Sequence, residues 1–421
     1  VSLAERIAAV SRFVDVFVAD VDVLAEELMW QIGRPISQTP GEIRGFEERA
    51  RHMLAIAPEA LADLHVTEKP GFQRKIRREP LGVVLALAAW NYPYLIAVNA
   101  LVPAMVAGNV VVLKHSDQTP LCAERLTNAA QVAGLPEGVL QHLHLSHAQV
   151  ARVVQDDRIG HVAFTGSVQG GRAVHRAAAG RFIGVGLELG GKDPAYVRAD
   201  CDLDFAMDNV VDGAFFNSGQ SCCGIERVYV ARQRYDRFVQ GVVDRVNGYR
   251  LGDPRLPDVN LGPVVRARNA AAIQSHIDEA LHAGAKGLVD PKGFADACAL
   301  GPTYMAPQVL VDVDHTMAVM REETFGPVVG IMAVDSDAQA ISLMNDSPFG
   351  LTASVWTQDE QAAWAIGSQL ETGTVFMNRC DYLDPALAWV GVKDSGRGCT
   401  LSTVGYENLT RPKSFHLRVQ F

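Results

Sequence analysis

The chain is poor in cysteine, in clustered cations and in unbroken apolar runs, and each shortage removes a class of function. Seven cysteines in 421 residues, an odd set with no CxxC spacing, do not make a disulfide framework and fit a reducing compartment such as the cytoplasm. Twelve histidines include His142, His144 and His147, but the sequence sets no partner cluster beside them. They read as a solvated helix or loop, and no metal site is expected. Lysine and arginine number 38 against 48 aspartates and glutamates, giving a formal charge of −10. Phosphate backbones need the opposite, so nucleic acid is excluded as the main partner. The longest apolar stretch, residues 95–113, has the length of a membrane span, but Asn99, Pro103, Gly108 and Asn109 interrupt it. It divides into a buried helix ending near Gly108 and a strand at 110–113, and no membrane association is expected.

What remains is an ordinary globular composition, 48% apolar and 20% charged, in a chain long enough for two or more domains. Residues 1–31 read as helix, because Ile7, Val10, Val14, Phe17 and Val21 recur at three- and four-residue steps until Gly33 and Pro35. A second helix is expected over about 41–56. Residues 71–80 alternate charged and apolar positions, as a strand exposed on one face does. Buried strands follow at 83–88, 110–113, 139–143, 161–164 and 183–188, with helices between them. A further series runs from strand 194–198 through helix 203–217, strand 226–231, helices 233–247 and 266–284, strand 327–333, helix 337–345, strand 352–357 and helix 360–368 to strand 374–377. Residues 413–419 are again strand-like. This alternation predicts an α/β fold with a doubly wound parallel sheet, whose ligand crevice lies at the carboxyl ends of the strands.

Chemistry concentrates in a few segments. FFNSGQSCCG (215–224) ends a helix at a glycine turn and places two thiols directly after it. A thiolate held among backbone N–H groups is a competent nucleophile, although a buried cysteine is by itself more often a small hydrophobe. LELGGK (187–192) sets Glu188 at the end of a buried strand. WNYP (90–93) and FTGS (164–167) sit at strand ends facing the same crevice, and a glycine-rich turn opening a helix suits a pyrophosphate.

Together with LKHSDQTPL and EETFGPV, these segments occur in the order and spacing of the aldehyde dehydrogenase superfamily, which the whole chain resembles. Glu188 and Cys222 are 34 positions apart, and Asn91 and Lys114 are 23 apart. The resemblance implies that Cys222 is the nucleophile that passes through a thiohemiacetal and a thioester, and that Cys223 is only its neighbour. It implies that Asn91 and the Cys222 N–H hold the oxyanion, and that Glu188 is the base activating water. The cofactor residues it implies are Trp90, Lys114 and Asp117, then Gly166 and Ser167 at the pyrophosphate turn, Leu189, and Glu323 with Phe325 at the nicotinamide ribose. A carboxylate at Asp117 repels a 2′-phosphate, so NAD is expected over NADP. Tyr92, Phe216, Asp381, Leu383 and Trp389 match the mouth of the aldehyde tunnel.

The segment AWVGVK (388–393) departs from the family pattern, with Trp389 for the common Phe and Val390 for Gly, so the substrate does not carry over. Asp381 and Asp384 beside Tyr382, Trp389 and Tyr92 suit a cationic aminoaldehyde. Arg379 suits an acidic semialdehyde such as succinate semialdehyde. If these charges pair with one another, a neutral aliphatic or aromatic aldehyde fits. A CoA-acylating enzyme is disfavoured by Glu188, which those relatives generally lack. A non-catalytic member of the fold is disfavoured by the full residue set.

The resemblance further implies a cofactor domain over 1–70 and 81–189, a catalytic domain over 190–395, and bridging strands at 71–80 and 411–421. Exposed strand edges of that kind pair between subunits, so a homodimer or homotetramer is expected. The chain begins at Val1 rather than Met, which leaves room for a preceding segment, a targeting peptide included.

Overall fold

The computed structural model describes residues 1–420. Ser2 opens the first helix, Leu3–Ala19, through a reciprocal capping box with Glu5. The single helix expected over 1–31 is two helices: the chain breaks at Asp20 and resumes as Val21–Ile32. Asp is a poor interior residue because its short carboxylate competes for backbone groups, and the apolar steps on either side hide the break. Phe13 and Phe17 then pack on Phe46 of helix Thr39–Ala60 and form the floor of the first core.

Two sheets carry the molecule. In the first, the spatial order is Gly396–Arg397, Gly184–Glu188, Ile159–Thr165, Val83–Ala88, Val110–His115 and Leu140–His142. All neighbours run parallel except the short Gly396–Arg397 strand. Chain order therefore reverses between Val83–Ala88 and Ile159–Thr165, and such a switch point opens a crevice beyond the strand ends. Helix Pro93–Ala107 leaves that point almost fully embedded, with no polar face, and runs on into the buried strand Val110–His115, which explains the membrane-like length and hydropathy of residues 95–113. No helix among the described residues is long and apolar enough to cross a membrane.

The second sheet has seven strands in the order Thr374–Met377, Thr352–Trp356, Asp193–Val197, Ile225–Ala231, Val328–Val334, Gln308–Val311 and Lys286–Gly287. Only the last pairing is antiparallel. The strand Gln308–Val311 was not foreseen: its four residues are all buried, and so short an apolar run carries no alternation to read. The helix expected to reach 217 stops at Phe215. A separate antiparallel ribbon joins Phe72–Pro80 to Thr410–Arg418 and stands largely in solvent. Of the strand-like tail, residue 421 lies outside the described residues.

Candidate active site

The two sheets meet where Leu189 and Gly190 leave one and enter the other. Asn217, Ser218 and Gly219 follow helix Leu203–Phe215 in left-handed backbone, with φ of 53°, 56° and 70°. Two non-glycine residues in that region cost about 1–3 kcal/mol each, so the turn is held from outside. Arg34 Nε donates to Asn217 Oδ1 at 3.0 Å, and Ser218 Oγ donates to the Gly262 carbonyl at 2.7 Å. The turn delivers Cys222 half-exposed at its end and Cys223 into the interior.

Cys222, Glu188 and Asn91 line two cavities at once. One, of about 1420 Å³, is also walled by Tyr92, Phe216, Asp381, Leu383 and Trp389. The other, of about 650 Å³, is walled by Trp90, Gly166, Ser167, Leu189, Glu323 and Phe325. A third cavity of about 1030 Å³ continues from Thr165 and Ser167 over the sheet's switch point to Lys114. Of the residues expected to touch cofactor, Asp117 is the one not brought in. Its side chain is 86% exposed and paired to Arg266 at 2.8 Å.

The electrostatics separate the two thiols. Cys223 donates to Asp381 Oδ1 at 2.9 Å, and its acidity is weakened by its contact with Cys222 and then by burial. Glu188 receives Thr165 Oγ1 at 3.0 Å and Thr400 Oγ1 at 2.5 Å. Burial lifts its carboxyl above the ordinary range, while the two hydroxyls and the Arg49 charge oppose the lift. Asn91 Nδ2 donates one hydrogen to the Gln220 carbonyl at 3.2 Å, which aims the amide. The Cys222 N–H donates to no group among the described residues.

The cofactor side is equally built. Glu323 accepts from Gly191 N–H at 3.2 Å and is pushed up to about 8, by burial first and the nearby Glu226 charge second. A Cβ on Gly190 would come within 2.1 Å of its Oε1, so any other residue there would displace the Glu323 carboxyl. Phe325, at φ 56°, packs edge-on against Trp90 at 5.6 Å. Glu226 holds that strained loop by accepting the Thr324 and Phe325 N–H groups at 2.8 and 2.9 Å. These residues fit a nicotinamide dinucleotide: a closely walled carboxylate for ribose hydroxyls, aromatic faces for the ring, and the N-terminus of helix Val168–Ala178 for phosphates.

Sequence reasoning missed Thr165 and Thr400, which bond the Glu188 side chain, and Arg34, Glu42, Asn217 and Glu226, which hold the backbone around Asn91 and Phe325. The one legible signal among them is a charge inside a mostly apolar strand, as at Glu226. The five residues expected at the mouth all line the larger cavity, but two of the charges weighed for substrate choice do not. Asp384 and Arg379 are exposed and line none of the three cavities, and Arg379 lies 3.7 Å over the Tyr382 ring. Asp381 does line the substrate cavity, but it accepts from Ser221 and Cys223 at 2.9 Å each and is raised to about 6 by burial. Away from the site, the structure sets Glu124 beside His142 and His144, a cluster the sequence did not disclose; His147 is not part of it.

The chain is similar to known proteins over nearly its whole length. A model described as "Aldehyde dehydrogenase family" matches residues 1–415. The 3,6-anhydro-alpha-L-galactose dehydrogenase of Streptomyces coelicolor is 34% identical, over 98% of this chain and 84% of its own. A succinate-semialdehyde dehydrogenase [NADP(+)] of Mycobacterium bovis is 32% identical, over 98% of this chain and 90% of its own. Betaine aldehyde dehydrogenase from Staphylococcus aureus, solved with NAD+, superposes with a TM-score of 0.93 at 28% identity, covering 100% of this chain and 83% of that one.

Proposed function

The chain belongs to the aldehyde dehydrogenase family, and on that premise we propose that it oxidises an aldehyde to the carboxylic acid through a thioester on Cys222. The observation that carries this reading is that Cys222, Glu188 and Asn91 line both the substrate-side and the cofactor-side cavity. The Cys222 thiolate adds to the aldehyde carbon, and the resulting oxyanion lies between the Asn91 amide and the Cys222 N–H. Nicotinamide dinucleotide, bound against Glu323, Phe325 and Trp90, supplies the hydride acceptor. Glu188 takes a proton from the water that attacks the thioester, releasing acid and free thiol. Arg34 and Asn217 position Asn91: the Arg34 guanidinium and Asn217 Nδ2 both donate to its carbonyl.

NAD is the oxidant we propose: Asp117 lies outside the three cavities but near enough to Lys114 for their charges to interact, so the discrimination is small. Arg266 offsets the carboxylate that would repel a 2′-phosphate. Wild-type kcat/KM for NAD should exceed that for NADP by less than about tenfold, or roughly 1.4 kcal/mol. Asp117→Ser should reverse the order; a wild type that already prefers NADP removes Asp117 from this role.

The division into a cofactor unit (1–70, 81–189), a catalytic unit (190–395) and bridging strands (71–80, 411–421) is proposed on the same basis. The solvent-facing ribbon Phe72–Pro80 with Thr410–Arg418 supports a homodimer or homotetramer. Seven free cysteines support a cytoplasmic location. The test of the activity is NADH absorbance against an aldehyde panel with and without CoA. Turnover should be independent of CoA, and a strict requirement for it would replace hydrolysis by acyl transfer.

A further inference from the structure

Three arginines are buried, and two of them are fully engaged. Arg34 uses all three of its nitrogens, on Asn217, Glu42 and the Asn91 carbonyl. Arg227 likewise uses all three, on the carbonyls of Lys192, Leu343 and Met344 and on Tyr229. Arg49 differs. It is 8% exposed, on helix Thr39–Ala60, and lines the cavity that holds Cys222 and Glu188. Its Nη1 donates to the Leu95 carbonyl at 3.0 Å and to Asn99 Oδ1 at 3.2 Å. Nε and Nη2 donate to nothing, and no carboxylate lies within ion-pair distance, among the described residues.

Withdrawing a cation from water without an ion-pair partner in contact with it is costly, and a bound carboxylate would offset that cost. Two contacts on Nη1 fix the fork, leaving Nε and Nη2 as a pair matched to a planar carboxylate. The other charges of this cavity do not compete. Arg44 and Glu48 are exposed, of opposite sign, and Glu48 already accepts the Tyr382 hydroxyl at 2.6 Å. Asp212 is also exposed, and Asp381 is taken up by Ser221 and Cys223. Glu188 and Arg49 feel each other's charge, but Glu188 bonds to Thr165 and Thr400 and forms no ion pair with Arg49 among the described residues.

We propose that Arg49 binds a carboxylate carried on the aldehyde, which makes this chain a dehydrogenase of acidic semialdehydes. This rests on the aldehyde dehydrogenase reading above. It also moves the anionic contact from the exposed Arg379 to a buried guanidinium beside the reacting thiol.

Succinate semialdehyde and butanal have the same carbon count and differ in the charge, so their kcat/KM ratio isolates the contact. The wild type should favour the semialdehyde by more than about tenfold. Arg49→Gln should cut that ratio by about 30-fold or more, mainly through KM for the semialdehyde, and Arg49→Lys should restore part of it. Calorimetric titration with succinate, which needs no turnover, should show binding to the wild type and at least about tenfold weaker binding to Arg49→Gln. Preference for butanal or 4-aminobutanal in the wild type would overturn the proposal while leaving aldehyde oxidation intact. So would equal losses on both substrates in Arg49→Gln, which would mean that Arg49 acts on Glu188 or Cys222. Absence of NADH from every aldehyde would instead strike the parent reading, and the succinate titration would still decide the fate of Arg49.

Discussion

Two adjacent thiols, Cys222 and Cys223, share one turn and one chemistry, and their surroundings alone divide their roles. Cys222 borders both cavities, whereas Cys223 borders only the larger one, is buried, and donates its S–H to Asp381. A thiol whose acidity is weakened by a neighbouring thiol and then by burial is a poor nucleophile at neutral pH. Cys222→Ala should therefore lower kcat by about 10⁴-fold or more, as loss of a covalent nucleophile does. Cys223→Ala should retain turnover within about threefold, with any loss traced to a freed Asp381 carboxyl. Equal losses measured for the two variants would mean that the wrong thiol has been assigned. The motif register pointed to Cys222 in the sequence; the left-handed turn at Asn217–Gly219 that carries it was not legible, because no local pattern announces three such residues in a row.

Among the elements, the junction of helices Thr39–Ala60 and Pro93–Ala107 matters most, because it sets Asn91. Tyr92 caps the second helix without a side-chain bond, and Pro93 begins it. Its free N–H groups are met from the first helix: Glu42 accepts from Tyr94 N at 2.7 Å and pairs with Arg34 at 2.5 Å. Glu42→Gln leaves the Arg34 cation unpaired in the interior. Melting or urea titration should show a loss of about 3–5 kcal/mol, the cost of breaking a buried pair from one side. The same variant should lower kcat more than it raises KM, since Asn91 acts on the oxyanion. Unchanged stability would show that Arg34 finds other partners. The strands of this region were legible because each is a buried apolar run bounded by turns, as at 83–88. The Arg34–Glu42 pair was not, because its members gain meaning only when two distant helices dock. The break at Asp20 escaped for a related reason: the apolar steps at Phe17, Val21 and Leu24 continue through it.

At the scale of the whole molecule, joining two sheets at one seam buries carboxyls that catalysis and cofactor binding require. Glu323 rises from 4.5 to about 8 through burial, so its folded form holds a proton that its unfolded form has lost. A carboxyl raised in this direction supports the fold fully below pH 4.5 and loses that support as pH climbs through about 8. Cofactor-free protein should thus show a melting temperature falling across that window, and Glu323→Gln should flatten the slope. An identical slope in the variant would place the dependence on another buried acid. The same seam explains how much of the fold could be read in advance. Strand–helix alternation is local and survived translation into two sheets, whereas the pairing of Glu226 with a loop near residue 325 spans the chain.

The central claim is a thioester on Cys222 whose hydrolysis depends on Glu188, and single-turnover chemistry addresses it directly. Glu188→Gln should be mixed rapidly with saturating aldehyde and cofactor, following NADH by absorbance and the protein by mass. The account predicts a burst of about one NADH per site, slow acid release, and an acyl adduct on the peptide that carries Cys222. A full steady-state rate with no accumulated adduct, or an adduct on Cys223 instead, would contradict it.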